Sequence, residues 1–324
     1  MSFSVKKLFP RPQKFSVSPN LFTLPSSFTF VIENPEFRSL ESFFFQAGFC
    51  SNSTGKASIL LVRKEKLPQK EAYRLKITPS QVILSGNEPV AIFRGLQTLS
   101  QIIKDPENTK TIPCIEIEDF SLIEKRGFML DVSRCKVPTM ESVFSLIELL
   151  SELRINEFQL YIEHTFAFSE HKEVWEYASP FTANEIKQID SYCRDRFIEL
   201  VPNLNSFGHF ERWLCHDNYK NLAECPNGFT RKEPYMVREH GPTLKPNQVS
   251  LDFINSLYSE YLPHFSSKKF NVGMDEPWEL GQGWSREKIQ KHGKDKIYLE
   301  HLNGIRKLVE SHGKKMQFWA DVLL

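Results

Sequence analysis

The run KFNVGM, residues 269–274, reads as a buried strand, and it stops on two adjacent acids, Asp275 and Glu276. Along a regular strand neighbouring side chains point to opposite faces, so both carboxyls can enter one cleft only where the strand is ending. Two carboxylates held close together cannot both ionise cheaply, so one pKa is expected to rise. The protonated member is then a proton donor, while its charged neighbour accepts a hydrogen bond or stabilises positive charge. Cleavage of a glycosidic bond needs that division of labour. An Asp-Glu dipeptide alone is common on solvated loops, so its company must decide.

That company is chemical at every neighbouring position. Apolar runs finish on Asp131-Val132-Ser133-Arg134, on Glu163-His164, on Asn203 to His209, and on Trp319-Ala320-Asp321. Parallel strands gather functional groups at their C-terminal edge, so five such ends in register make a cleft. Trp278, Trp284 and Trp319 fall near the same edge. Indole faces suit the apolar face of a pyranose, although ordinary packing is the commoner fate of any single tryptophan.

The elements that must hold these ends alternate. RGFMLDVS (126–133) is a strand, and Thr139 to Leu153 a helix with Val143, Ile147 and Leu150 inward. NEFQLYI (156–162) is the next strand, and Thr182 with Glu185 forms a capping-box pattern opening a helix. FIELVPNL (197–204), a helix over Gln248 to Tyr261, the strand ending at Met274, a helix over Lys296 to Ser311, and KKMQFWAD (314–321) follow. Strict alternation implies parallel strands joined by right-handed crossovers. The fold class is therefore α/β, either an open sheet or the opening of an eight-stranded barrel. No glycine-rich phosphate fingerprint follows the first strand, which weakens the nucleotide-binding sheet.

The first ~115 residues differ, as short strands separated by turn signals. EAYRLKI (71–77) puts Tyr73, Leu75 and Ile77 on one face and pairs with QVILS across a proline turn. PVAIFRGLQTLSQII (89–103) reads as a strand entering a helix at Gly95. KDPENTKTIP (104–113) is the expected boundary segment, giving a small α+β domain over 1–118 and a catalytic domain over 119–324.

Composition narrows the partners. With 41 basic and 40 acidic residues the formal charge is +1, so no basic excess argues for nucleic acid. No run of ~18 apolar residues suggests a membrane span. The N-terminus lacks a signal-like apolar stretch, and the six cysteines show no framework spacing. Reduced thiols in a soluble cytoplasmic protein are expected.

Taken together, these segments resemble the β-N-acetylhexosaminidases of glycoside hydrolase family 20. EAYRLKI with FRGLQTLSQI is similar to the family's N-terminal accessory domain. RGFMLDVSR, ELVPNLNSFGH and NVGMDEPWELGQG resemble its first, third and acid-pair strands, and QFWAD its fifth. The wording DEPWELGQG leans toward a bacterial branch. The resemblance implies a (β/α)8-type barrel and retaining, substrate-assisted hydrolysis of terminal β-linked N-acetylhexosamine, with no cofactor and no metal. The substrate acetamido carbonyl would attack the anomeric carbon, with Glu276 as general acid and base and Asp275 holding the acetamido N–H. By the same resemblance Arg126 would grip sugar hydroxyls, His209 would support the acid pair or the sugar, Trp319 would line the acetamido pocket, and Asp321 and Trp278 would contribute to binding. Glu163 and His164 stand where many members carry an Asp-Asp pair. The glycines after the acids would let the loop turn beside the sugar, and residues 205–247 would form a lid.

The family barrel has eight strands, whereas about five are read here. An incomplete barrel with two open sheet edges is expected, and self-association is one way of covering them. The alternative function is a non-catalytic remnant that binds carbohydrate or serves structurally. A metal site at His209, Cys215, His216 and Cys225 matches no common ligand spacing.

Overall fold

The computed structural model describes residues 7–51, 59–105 and 110–320. They form two compact units, one comprising the chain to Lys125 with Glu152–Arg154, the other Arg126–Ser151 with everything from Ile155.

In the first unit the strands are β1 (Lys14–Thr23), β2 (Phe28–Ile32), β3 (Phe49–Ser51), β4 (Leu60–Lys64), β5 (Tyr73–Ile77), β6 (Val82–Gly86) and β7 (Thr111–Asp119). They make one mixed sheet in the order β1-β7-β5-β6-β4-β2-β3. Helices α1 (Glu41–Gln46) and α2 (Pro89–Lys104) accompany it. The β5–β6 hairpin is as read, with Tyr73, Leu75 and Ile77 all buried. Residues 89–93 are not a strand. Pro89 opens α2 at a first-turn position, and the helix runs unbroken through Gly95 to Lys104. Its N-terminal half is buried on nearly every side, so the apolar run lacks helical periodicity and looks like a core strand. The expected boundary segment also lies inside this unit, because β7 follows it and pairs with β1 and β5. The chain passes to the second unit after Lys125.

The second unit is built on β8 (Gly127–Asp131), β9 (Glu157–Tyr161), β10 (Glu199–Val201), β13 (Lys269–Asn271) and β14 (Lys315–Gln317). Between them run α3 (Met140–Glu152), the short α4 (Lys172–Trp175), α5 (Ala183–Asp195), α8 (Gln248–Tyr261), α9 (Arg286–His292) and α10 (Lys294–Ser311). Thr182 and Glu185 cap α5 reciprocally, as their spacing required. β8–β9, β9–β10 and β13–β14 are parallel, and a parallel bridge from Asn203 to Asn271 joins the middle pair. Neighbours in space are thus neighbours in sequence. A doubly wound sheet reverses its strand order at a switch point, and a barrel does not, so these are the opening five strands of a (β/α)8-type barrel. Among the described residues β8 and β14 each pair on one side only.

The strands alternate rather than being apolar throughout. Phe158, Leu160, Phe270 and Val272 are fully or almost fully buried and belong to the main apolar core with residues of α3, α5, α8 and α10. The alternate positions are polar and bond to one another across strands. Lys269 Nζ reaches Glu157 at 2.7 Å and Glu199 at 2.6 Å. One layer higher, Asn203 and Asn271 both donate to Gln159 Oε1, at 2.9 and 3.1 Å. Because the side-chain period is two, this polar row continues upward to the strand exits and determines which residues meet there.

Residues 205–247 are anchored more firmly than a free lid. They carry α6 (Glu211–Leu214), α7 (Asp217–Lys220) and the hairpin β11 (Phe229–Arg231)–β12 (Met236–Arg238). Trp213 is fully buried among Phe168, His171, Tyr219 and Phe253. At the hairpin tip Tyr235 is 76% exposed. All six cysteines are unpaired, and no helix among the described residues is long and apolar enough to cross a membrane.

Candidate active site

Following the polar row past the strands leads from Gln159 through Tyr161 to Glu163, from Asn203 to Asn205, and from Asn271 through Gly273 to Asp275. Asn205 Nδ2 donates to Tyr161 OH at 2.7 Å, and Tyr161 OH donates to Glu163 Oε1 at 2.8 Å. Arg134, just past β8, spreads its guanidinium 5.0 Å from the Tyr161 ring centroid. It pairs with Asp131 at 2.7 Å and with Glu163 at 2.9 Å. Ser133 Oγ accepts the Glu163 N–H at 2.7 Å, and Trp213 Nε1 donates to the Glu163 carbonyl at 2.8 Å, so Glu163 is held from both sides.

Strict alternation would send Glu276 to the apolar face. Instead Met274 and Glu276 have φ of 75° and 49°, a left-handed region that such side chains rarely adopt. The irregular backbone leaves both acids beside one histidine. His209 Nε2 lies 3.1 Å from Asp275 Oδ2 and 3.5 Å from Glu276 Oε2, while its Nδ1 lies 3.5 Å from Glu163 Oε1. A Cβ on Gly208 would sit 2.4 Å from the Asp275 carbonyl oxygen, so glycine is needed for this turn to lie against the acid pair. Asp275 Oδ1 is buried and accepts no hydrogen bond from the protein. The Glu276 side chain is 44% exposed, against 19% for Asp275.

Burial alone would depress the His209 pKa. The hydrogen bond and charge of Asp275, then the charge of Glu163, outweigh it, and the pKa ends above the ordinary value. Burial pushes the Glu163 carboxyl up in spite of the Tyr161 hydrogen bond and the Arg134 charge. Tyr161 is likewise raised, by burial and then by Glu163, and stays a neutral donor. A histidine whose folded pKa is raised contributes stability that is complete below its ordinary 6.5 and is lost as pH rises through the folded value. Thermal midpoints measured from pH 5.5 to 8.5 are therefore expected to fall on the alkaline side. In His209→Gln that component of the slope should vanish.

The fold that carries this partly exposed acid pair over a polar barrel interior has counterparts among known proteins. The family model for the glycosyl hydrolase family 20 catalytic domain matches residues 124–324, and that for domain 2 of the family matches residues 6–120. The chain belongs to glycoside hydrolase family 20. A beta-hexosaminidase of Porphyromonas gingivalis is 26% identical over 287 residues, covering 79% of this chain and 36% of that protein. Beta-hexosaminidase subunit beta of Mus musculus is 25% identical over 279 residues, covering 79% of this chain and 50% of its own length. The chain thus spans half or less of these relatives. Among solved structures, the exo beta-N-acetylglucosaminidase of Vibrio harveyi in complex with N-acetylglucosamine superposes with a TM-score of 0.84 at 18% identity, over 98% of this chain and 55% of that one. The beta-N-acetylhexosaminidase of Bacteroides fragilis gives 0.79 at 20% identity, over 97% and 66%. These two likenesses establish the fold.

Within this family 20 chain the expected site residues divide. Asp275, Glu276, His209 and Glu163 meet, and Trp278 stands beside them with its ring 6.4 Å from that of His209. Trp319 lies at the exit of β14, where its N–H donates to the Gly273 carbonyl at 2.9 Å, and its side chain is partly exposed. His164 follows Glu163 by one residue, is buried, and has a pKa pushed down to about 4 by burial and then by the charge of Arg212. It makes no hydrogen bond or ion pair with the acids. Asp321 lies outside the described residues. Arg126 requires correction, because it stands at the entrance of β8, where its N–H donates to Asn156 Oδ1 at 2.9 Å. The arginine at the exit is Arg134. RGFMLDVSR contains both, and only strand direction separates them. Tyr161 was also overlooked, although counting by twos back from Glu163 finds it, and Asn205 lay within the expected exit 203–209 without an assigned role. Among the described residues the one close group of His, Cys, Asp and Glu ligand atoms is His209, Asp275 and Glu276, so Cys215, His216 and Cys225 form no site with His209.

Proposed function

We propose that the chain carries a retaining, substrate-assisted N-acetylhexosaminidase site. The observation that supports this best is the buried, unbonded Oδ1 of Asp275, beside an Oδ2 already held by His209. A carboxylate oxygen placed so is an acceptor for one N–H, and an acetamido group offers one. The acetamido carbonyl oxygen attacks the anomeric carbon as the glycosidic C–O bond breaks. The departing oxygen takes the bond's electron pair and the Glu276 proton. Asp275 then faces the positively charged oxazolinium through its N–H. Water then adds to the anomeric carbon from the opposite face as the oxazolinium C–O bond breaks and its electron pair returns to the acetamido oxygen. The water proton passes to Glu276, and retention results. The greater exposure of Glu276 suits the group that must meet both leaving group and water.

Arg134 is the candidate for gripping sugar hydroxyls, with Asp131 and Glu163 fixing its fork. Arg134→Lys keeps the charge but loses the planar fork. Its kcat/KM on an aryl 2-acetamido-2-deoxy-β-glucoside is expected to fall by ~10–100-fold, the equivalent of a charged hydrogen bond or more. Arg126→Lys should change it little.

The deciding assay is release of the aryl alcohol from that glycoside by the 324-residue chain, with Glu276→Gln as control. Sustained turnover by the wild type, with Glu276→Gln limited to a burst and a far slower steady state, supports the hydrolase. Binding of N-acetylglucosamine by a folded chain that releases nothing would support the carbohydrate-binding alternative.

A further inference from the structure

Glu224 and Glu279 are fully buried, yet neither belongs to the acid cluster. Carboxylates leave water at high cost unless their oxygens are met by donors. Here the donors come from the opposite segment in each case. Glu224, in the excursion between β10 and α8, accepts from the N–H groups of Gly281, Gly283 and Ser285 at 3.1–3.2 Å and from Ser285 Oγ at 2.6 Å. Glu279, three residues after Glu276, accepts from Thr243 N–H and Oγ1, both at 2.7 Å, back in the excursion. A backbone bond crosses as well, from Trp284 N–H to the Glu224 carbonyl at 3.0 Å, and within the excursion Glu224 N–H donates to the Thr243 carbonyl at 2.8 Å, tying the two latch points together.

The seam has no slack. A Cβ on Gly283 would stand 1.9 Å from the Glu224 carbonyl oxygen, and one on Gly241 would stand 2.8 Å from Glu279 Oε1. Of the two glycines after the acid pair, Gly283 therefore serves close approach to the excursion, whereas Gly281, with a φ of 93°, serves a turn in the loop. The segment they fasten begins at Glu276, whose φ of 49° is one that surrounding structure must impose. From Glu276 onward the chain turns tightly, with Trp278 N–H on the Glu276 carbonyl at 2.8 Å and Leu280 N–H on the Pro277 carbonyl at 3.2 Å. Movement at residue 279 has little length in which to dissipate before it reaches Glu276.

We infer that Glu224 and Glu279 form a reciprocal latch that positions Glu276 for proton transfer, making both of them positioning residues of the hydrolase site. The inference rests on the hydrolase reading above. The latch gives the excursion a role in the chemistry without contact with the reacting atoms. A misplacement of about 1 Å can slow a reaction by ~10²-fold with little effect on binding.

Three variants test it, each compared at equal folded fraction by thermal melting. Glu279→Ala and Glu224→Ala are expected to lower kcat by ~10²-fold with KM changed less than about threefold. Glu279→Gln should recover most of the loss, since its amide oxygen can take the Thr243 N–H and its NH2 can donate to Thr243 Oγ1. A second readout is independent of turnover. The NMR titration midpoint of His209, 3.5 Å from Glu276 Oε2, should shift in both alanine variants and return in Glu279→Gln. Folded alanine variants with wild-type kcat and an unmoved His209 titration would overturn the latch while leaving the hydrolase intact. An inactive wild type would overturn the hydrolase reading, and an unmoved His209 titration in the variants would then overturn the latch as well.

Discussion

Glu276→Gln is expected to slow hydrolysis of an alkyl 2-acetamido-2-deoxy-β-glucoside by about 10²–10⁴-fold, the usual contribution of a positioned acid–base group. The argument is in the leaving group. An alkoxide departs poorly without a proton, and a glutamine amide has none to give at neutral pH. A nitrophenolate departs readily, so with the nitrophenyl glycoside the first step should survive the substitution far better. The second step, in which Glu276 takes a proton from water, should then limit turnover. Rapid mixing would show a burst of nitrophenolate followed by a slow steady state. Equal losses on the alkyl and nitrophenyl substrates, with no burst, would remove Glu276 from proton transfer and leave it a binding group. The exposure of its side chain, against the near burial of Asp275 and His209, is what makes Glu276 rather than Asp275 the expected donor.

What could be read in advance followed from periodicity. The bounds of α8 and the cap of α5 coincide with the residues whose types demand them, because helical spacing and a capping box are local signals. The polar row 157, 159, 161, 163 is equally local, and it explains why Tyr161, Glu163, Asn205 and Asp275 converge. Three features were not legible. Residues 89–93 form helix, but burial on nearly every side erases the period that marks one. Glu276 shares the cleft through a left-handed backbone at Met274 and Glu276, and neither residue type advertises that conformation. Glu224 and Glu279 sit in segments without regular spacing, where a glutamate reads as solvated. Their burial is visible only once the excursion and the acid-pair loop are folded together.

Asp275→Asn is expected to lower kcat on 2-acetamido substrates by about 10²–10³-fold, the scale seen when one preorganised charge-stabilising contact is lost. Asparagine keeps the shape and can still offer an oxygen to the acetamido N–H, but it removes the negative charge opposite the developing oxazolinium. It also removes the acceptor whose charge holds His209 above its ordinary pKa, so the His209 titration should fall in the same variant. Two losses could therefore be confused, and the substrate separates them. A β-glucoside bearing a 2-hydroxyl in place of the acetamido group has neither the internal nucleophile nor the N–H. Wild type should cleave it far more slowly, and Asp275→Asn should add almost nothing to that deficit. The cross of enzyme and substrate changes is a double-mutant cycle, and its coupling term isolates the contact between Asp275 and the acetamido group. A strong coupling assigns Asp275 to the substrate's own nucleophile. If the variant lost equally on both substrates, the coupling would be nil, and Asp275 would act by holding His209 rather than by meeting the sugar.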